Sequence, residues 1–417
     1  MGVQVGVIAD DFTGATDIAG FLTENGFRTI LLSGIRDTPG VLDEVEAVVI
    51  SLKSRSNPVK EAVQQSLDAM RFLNKQGINR FFFKYCSTFD STPNGNIGPV
   101  TDALLGEIGE DFTVVCPALP VNGRTIYKGY LFVGDVLLQE SGMRDHPVTP
   151  MRDSNLMRLM EVQAEGKAGN VPVQVIDQGP AAVRGALTDL RRSGVRYAIL
   201  DAVSDEHLHC LGEAVADFNL VTGGSGLGGA IARALNDRGS SDEATRWTPL
   251  VGRTVILSGS SSVMTNLQVE NYVQRAPAFG LSIERVLQDP SGYVSEIVGW
   301  VLAQPEDGLA PIVYATGQPE QVRRTQEAFG ADVSGSAFES LFAALARALR
   351  GVGATRFIVA GGETSGSVTT ALGVEGFRVG PQVAPGVPWV RSLEGTVDLV
   401  LKSGNFGEET FFTTAQK

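Results

Sequence analysis

Two carboxylates, Asp10 and Asp11, stand side by side after an apolar run and before a segment with helical spacing. Adjacent acids repel, so the pair calls for a compensating use. The loop runs Ala9-Asp10-Asp11-Phe12-Thr13-Gly14-Ala15-Thr16-Asp17. One acid can serve as a general base and the other as a metal or hydroxyl ligand, with Thr13 and Gly14 presenting hydroxyl and amide donors. The plain alternative is helix capping by Asp11 or Thr13.

A second loop follows the apolar run Phe81–Phe83 and extends from Lys84 to Gly98. It gathers the Lys84 cation, the hydroxyls of Ser87 and Ser91 and the Asp90 carboxylate, a mixture suited to a polyhydroxy acid. A merely polar turn has no need of a cation closing an apolar strand. Cys86 has no thiol-activating partner beside it and reads as structural. Arg124, in Pro120–Thr125, and Arg55, in Lys53-Ser54-Arg55-Ser56, each offer a guanidinium that can fork onto a carboxylate. For both, a solvated arginine is the competing reading.

The C-terminal half carries three more small-residue loops after apolar runs: 257–262, 360–366 and 402–407. Main-chain N–H groups at such strand ends suit anions, and three loops converging favour a phosphate-rich ligand, hence a nucleotide. GxxxxGK[ST] is absent, as is the VAIK and HRD pair, so this is neither a P-loop enzyme nor a protein kinase. Gly224-Ser225-Gly226-Leu227-Gly228-Gly229 does match GxGxxG. However, the next strand ends without a ribose-binding acid, and the motif closes its domain where the dinucleotide fingerprint opens one. It reads as a tight strand–helix turn. A nicotinamide-dependent dehydrogenase built on it is the rival enzyme class.

Other chemistries drop out. There are three histidines, and His207, His209 and Cys210 form only a partial metal set on a helix-like segment, where i and i+2 point apart. No GxSxG elbow supports a serine hydrolase. Carboxylates, lysines and hydroxyls remain, an inventory that suits phosphoryl transfer. The metal ligands, if any, are not assigned by the sequence. A protein that senses a sugar acid and ATP without turnover is the non-enzymatic alternative, and the paired acids speak against it.

These loops must be held by a frame, and the frame is α/β. Apolar runs at 3–9, 29–32, 47–52, 81–85, 113–116, 171–176, 197–200 and 220–222 read as strands. Amphipathic stretches at 15–24, 59–74 and 181–192 read as helices between them. Continuous apolar strands with intervening helices imply a mainly parallel sheet covered on both faces. A second series has strands at 254–257, 312–315, 357–360 and 399–401 and helices at 265–275, 319–329 and 337–349. The polar stretch 236–248 between the series reads as a linker, giving domains at 1–240 and 248–417.

Composition narrows the partners. The 417 residues carry a formal charge of −13, which opposes nucleic-acid binding and a polybasic membrane tether. No run of 18 apolar residues suggests a membrane helix. The N-terminal MGVQVGVIADDF reads as neither signal peptide nor myristoylation site. Three cysteines without CxxC point to a reducing, cytoplasmic setting.

Five ordered segments, IADDFTGATD, SGSSSVMTNLQ, GGETSG, APGVPW and LKSGNFG, resemble the four-carbon acid sugar kinase family and run from residue 8 to residue 407. FKYCSTFDST, GNIGPVTDALL, CPALPVNGRT and VTGGSGL resemble the branch acting on 3-oxo-tetronates. Threonate and erythronate kinases, the alternatives within the family, tend to carry a KxDSTLRGN-type loop, and residues 90–96 lack its arginine. Ser261 stands where relatives often have cysteine. The resemblance implies an N-terminal acid-sugar domain and a C-terminal ATP domain that close to exclude water. It implies ATP contacts at Ser258, Gly361, Gly362, Glu363, Thr364 and Gly404. It implies transfer to the C4 hydroxyl with Mg²⁺ bridging the phosphates, and it makes the GxGxxG part of the sugar domain. In that scheme Asp10 or Asp11 orients or deprotonates the hydroxyl. Lys84, Arg55 or Arg124 holds the carboxylate, beside Thr13, Ser87, Asp90 and Ser91. A homodimer suits a cytosolic enzyme of this size.

Overall fold

The computed structural model describes residues 3–36, 41–146, 148–236, 247–317 and 331–417. The chain forms two compact units, Met1–Thr245 and Arg246–Lys417. Most of the expected linker at 236–248 and the expected helix at 319–329 lie outside the described residues.

The first unit is built on parallel strands β1 (Val5–Ala9), β2 (Thr29–Ser33), β3 (Ala47–Ser51), β4 (Phe81–Lys84), β5 (Thr113–Cys116), β9 (Lys167–Val171), β10 (Val195–Leu200) and β11 (Leu220–Gly223). Their order is β2-β3-β1-β4-β11-β5-β10-β9. The runs are β-branched and aromatic and are buried on both faces, as a covered parallel sheet requires. The chain passes from β1 to β2, returns inward to β3 beside β1, then crosses to β4 on the other side of β1. Ala9 pairs with Ser51 on one side and Lys84 on the other, so three strand ends open at one level around Asp10. That is the switch point at which ligands sit in open α/β sheets.

Two features depart from the sequence reading. Residues 171–176 are not a strand: β9 ends at Val171 and Val173–Ile176 is a helical turn. Pro172 has no N–H to give to a ladder, and its carbonyl accepts from Val175 and Ile176. A small antiparallel sheet, β6 (Arg124–Tyr127), β7 (Tyr130–Val133) and β8 (Val136–Leu137), was not anticipated.

The glycine-rich motif after β11 is not a loop. Ser225–Leu235 is helical from Ser225 onward, and Gly226, Gly228 and Gly229 are buried inside it. A Cβ on Gly228 would lie 2.7 Å from Ile18 Cδ1, and one on Gly226 would lie 2.7 Å from Leu208 Cδ1. These glycines let the helix sit against Phe12–Glu24 and Asp205–Val215, leaving no space for a dinucleotide.

The second unit has the order β13 (Ala278–Gly280), β14 (Ile312–Tyr314), β12 (Arg253–Ser258), β15 (Ala354–Ala360), β18 (Asp398–Lys402), β17 (Val387–Ser392), β16 (Gly376–Ala384). The first five are parallel. The last two form an antiparallel hairpin closed by Pro385-Gly386, with Gly386 at a φ of 78° that favours glycine. Its core includes Ile256, Ile358, Val400, Tyr272 and Trp389. Both units thus hold a mainly parallel sheet flanked by helices.

The packing role of the helical glycines is testable at Gly212, whose Cβ would lie 2.5 Å from the Ala230 backbone. We expect Gly212→Ala to lower the stability of the first unit by about 1–3 kcal/mol in urea unfolding. Gly185→Ala, facing open space on the helix Pro180–Arg192, should instead stabilise it by about 0.5–1 kcal/mol.

Candidate functional site

Asp10 is the hub of the loops that follow β1, β3 and β4 in the first unit. Its N–H donates to Lys84 O at 3.0 Å, and its C=O accepts from Ser54 and Arg55 N–H at 3.0 and 3.2 Å. Its carboxylate accepts from Arg55 Nε at 2.9 Å and Nη2 at 2.8 Å. The same Nη2 lies 2.9 Å from Asp11 Oδ1, and Nη1 lies 3.8 Å from Asp90 Oδ2. Asn96 closes the ring, donating to the carbonyls of Ser54, Arg55 and Asn57 at 2.8, 3.1 and 2.9 Å.

The two acids have different surroundings. The Asp10 side chain is 8% exposed and that of Asp11 is 29%. Burial pushes the Asp10 carboxyl up against the opposing pull of Arg55. Burial opposes the Arg55 charge, and Asp10 and Asp11 outweigh it, so the guanidinium is held well above its ordinary value. Asp11 does cap the helix Phe12–Glu24, accepting from Gly14 N–H at 2.7 Å. Gly14 is needed there: a Cβ would lie 2.5 Å from Asp11 Oδ1, the oxygen that caps the helix, and 3.1 Å from Lys84 Nζ. Thr13 lies in the same first turn, and its carbonyl accepts from the Thr16 hydroxyl at 2.9 Å.

Lys84 is buried at the end of β4, donating to Tyr85 O at 2.8 Å. Its nearest carboxylate is Asp17 Oδ2 at 3.9 Å. Asp17 accepts a hydrogen bond from Ser225, and its other oxygen has no partner among the described residues. Burial pushes the Asp17 carboxyl up in spite of Lys84. The sequence reading included Asp17 in the loop after β1 without giving it a role. The available signal was an acid at i+3 from Gly14 on an otherwise apolar segment.

The loop after β4 is tightly ordered. Cys86 Sγ and Thr88 Oγ1 are 2.9 Å apart, and Thr88 donates to Asp90 Oδ1 at 2.7 Å. Burial, then Asp90, pushes the Cys86 thiol up to about 12, so it is inert at neutral pH. Phe89 takes a left-handed φ of 59°, held by its buried ring against Tyr85. Such strain concentrates at functional loops. Ser87 lies half-buried in this turn. Ser91 is turned elsewhere, donating to Gln163 Oε1 at 3.0 Å. Arg124 opens β6, apart from the Asp10 cluster in its contacts. It bonds Asn122 O, and its buried Nε has no partner among the described residues.

In the second unit, Ser258, Ala360 and Lys402 pair across three adjacent parallel strands, so their loops leave the sheet at one level. The Ser258 hydroxyl is buried against Thr316 Oγ1 at 2.7 Å. The helix Gly362–Ala371 has Gly361 as its cap, at a φ of 120°, with no side chain on its first amides. Gly362, Glu363 and Thr364 therefore open a helix N-terminus suited to a phosphate. The helix Val263–Val273 is capped by Ser262. Its Thr265 hydroxyl donates to Gly404 O at 2.7 Å, and Gln268 donates to the carbonyls of Phe406, Gly407 and Glu408. Lys402 was not singled out from sequence, although it closes an apolar strand as Lys84 does.

The partial metal set separates. His207 faces Asp177, His209 faces Arg233 and Cys210 donates to Ile176 O. Among the described residues no group of three or more His, Cys, Asp or Glu side chains could hold a metal, and no helix is long and apolar enough to cross a membrane.

Removing the Arg55 charge should expose what Asp10 costs. We expect Arg55→Met to lose about 3–5 kcal/mol at pH 7–8. Because the folded Asp10 carboxyl is raised, and rises further without Arg55, the loss should grow as pH climbs through that raised value and shrink below it. Urea midpoints from pH 4 to pH 8 check this.

The chain matches the family described as a sugar-binding N-terminal domain over residues 5–231 and that described as a nucleotide-binding C-terminal domain over 255–412. A 3-oxo-tetronate kinase of Brucella melitensis is 57% identical over 418 aligned residues, covering 100% of this chain and 95% of the relative. A 3-oxo-tetronate kinase of Haemophilus influenzae is 54% identical, covering 99% of each. A solved structure from Salmonella typhimurium LT2 superposes with a TM-score of 0.93 at 52% identity, covering 99% of each chain. With both domains matched in order and full-length likeness at this level, the chain belongs to the four-carbon acid sugar kinase family, alongside its 3-oxo-tetronate kinases.

Proposed function

We propose that this chain transfers the γ-phosphoryl group of ATP to the C4 hydroxyl of a 3-oxo-tetronate, giving the 4-phosphate and ADP. The observation that carries the reading is full-length identity of 57% to a 3-oxo-tetronate kinase, spanning sugar-binding and nucleotide-binding domains alike. The filled space around Gly226 and Gly228 removes support from the dehydrogenase rival.

Within this reading the acids divide the work. Asp11, the more exposed, takes or orients the hydroxyl proton. Asp10 is a positioning residue, because both of its oxygens are engaged by Arg55. Arg55 is likewise committed to acids, which leaves Lys84 and Arg124 for the substrate carboxylate, with Thr13, Ser87, Asp90 and Ser91 lining the sugar loops. Ser258, Gly361, Gly362, Glu363, Thr364 and Gly404 form the ATP loops. Mg²⁺ neutralises phosphate charge in such transfers. It is read as entering on the nucleotide, as Mg²⁺ usually does. We also read the enzyme as a cytoplasmic homodimer, which light scattering of the purified chain and cell fractionation check.

The decisive assay is ADP release with Mg²⁺-ATP against both 3-oxo-tetronates, D-threonate, L-threonate and D-erythronate. Turnover confined to the 3-oxo acids is expected. Turnover on threonate or erythronate would move the chain to a sister activity, and silence throughout would end the kinase reading. Asp11→Asn, which keeps a helix-capping oxygen, should lower kcat about 10²–10⁴-fold with little change in KM for ATP. Full turnover would remove Asp11 from the chemistry.

A further inference from the structure

Lys402 is a fully buried ammonium whose donors all go to neutral oxygens: Thr265 Oγ1 at 3.0 Å, Ser403 O at 3.1 Å and Gly404 O at 2.8 Å. Two successive carbonyls therefore turn toward Nζ. A trans peptide points its C=O and its N–H in opposite directions, so the N–H groups of Gly404 and Asn405 turn away from the lysine. Neither has an acceptor among the described residues. Two consecutive free amides of this kind form an anion-binding concavity. Gly404 admits nothing else: a Cβ would lie 2.8 Å from both Ser260 Oγ and Ser262 Oγ.

We propose that Lys402 is the positioning residue of the nucleotide site: it holds the Ser403–Asn405 turn with its amides outward and, having no counter-charge among the described residues, gains one when nucleotide phosphates bind there. The inference rests on the ATP reading above. The ammonium faces the Thr265 hydroxyl from the helix Val263–Val273 and the Phe411 ring 5.7 Å from Nζ, and the residue in register with Lys402 on β15 is Ala360. None of them titrates. Burial alone pushes the Lys402 amine down to about 7. A polyanion arriving at the turn favours the charged form, so binding takes up a proton there. Affinity should then fall as pH rises from 7 toward the bound-state value.

The test is calorimetric titration of the full chain with Mg²⁺-ADP at pH 8 in two buffers of different ionisation heat, repeated from pH 7 to pH 9. The wild type is expected to take up a large fraction of a proton, with affinity falling by up to about tenfold per pH unit. Lys402→Arg, which does not titrate, should bind without proton uptake. Lys402→Met should bind at least about tenfold more weakly at pH 7 and without pH dependence, the loss of one charge-assisted anchor. No uptake by the wild type, or equal uptake by either variant, overturns the inference. If Lys402→Met fails to fold, the wild type and Lys402→Arg decide alone. Absence of any Mg²⁺-ADP binding by the wild type would instead overturn the nucleotide reading itself.

Discussion

The sugar-side architecture of the first unit hangs on one ion pair. Arg55 and Asp10 meet through two parallel hydrogen bonds at the ends of neighbouring strands, and the main chain of Asp10 bonds the ends of β3 and β4. A fork of this kind fixes direction as well as distance, so a residue on the 53–57 loop cannot drift relative to the one after β1. Asn96 then spends its amide on three carbonyls of that loop. The whole assembly is anchored in buried strands whose register sets the height of every loop.

The second unit solves the same problem with different parts. Its three strand ends are level, and small residues let the loops approach: Gly404 against Ser260 and Ser262, Gly361 against Thr364 and Ser260. At these strand ends it uses an ammonium among carbonyls and hydroxyls, its bidentate pair Arg391–Asp398 lying at the other end of β18. An ion pair satisfies itself in the absence of ligand, whereas a cation without an anion leaves electrostatic work for the ligand to complete. The contrast fits the proposed division of labour, in which the second unit receives the more highly charged molecule.

Much of this was legible in the sequence, for physical reasons. Apolar runs such as 47–52 and 357–360 report burial on both faces, and a run that stops at Asp, Lys or Ser marks a loop at the sheet edge. Reading these stops located the loops of Asp10, Lys84, Ser258, Gly361 and Gly404. Periodicity fails where a local rule competes with it, as at 171–176, where Pro172 converts an apparent alternation into a helical turn. The hairpin around Pro385-Gly386 carried a turn signal that the surrounding α/β pattern masked. Glycines in Ser225–Leu235 matched a dinucleotide fingerprint, and were read as a tight turn and not as helix contacts, because sequence spacing cannot distinguish a glycine that frees the backbone from one that lets two helices touch. Asp17 and Lys402 escaped because their importance lies in missing partners, a property of three-dimensional surroundings.

The charge count of the first unit's cluster constrains how a sugar acid is held. Arg55 and Lys84 are the cations, and Asp10, Asp11, Asp17 and Asp90 stand around them within 4.0 Å. Such an excess of acid repels a substrate carboxylate and attracts hydroxyl hydrogens. Burial softens the conflict by raising the Asp10 and Asp17 carboxyls. On the proposed function, the cluster therefore faces the hydroxyl end of the sugar, where a proton must be accepted. On the same proposal the carboxylate end falls to a cation with donors to spare, a requirement that Arg124, whose Nε has no partner among the described residues, meets and Arg55 does not.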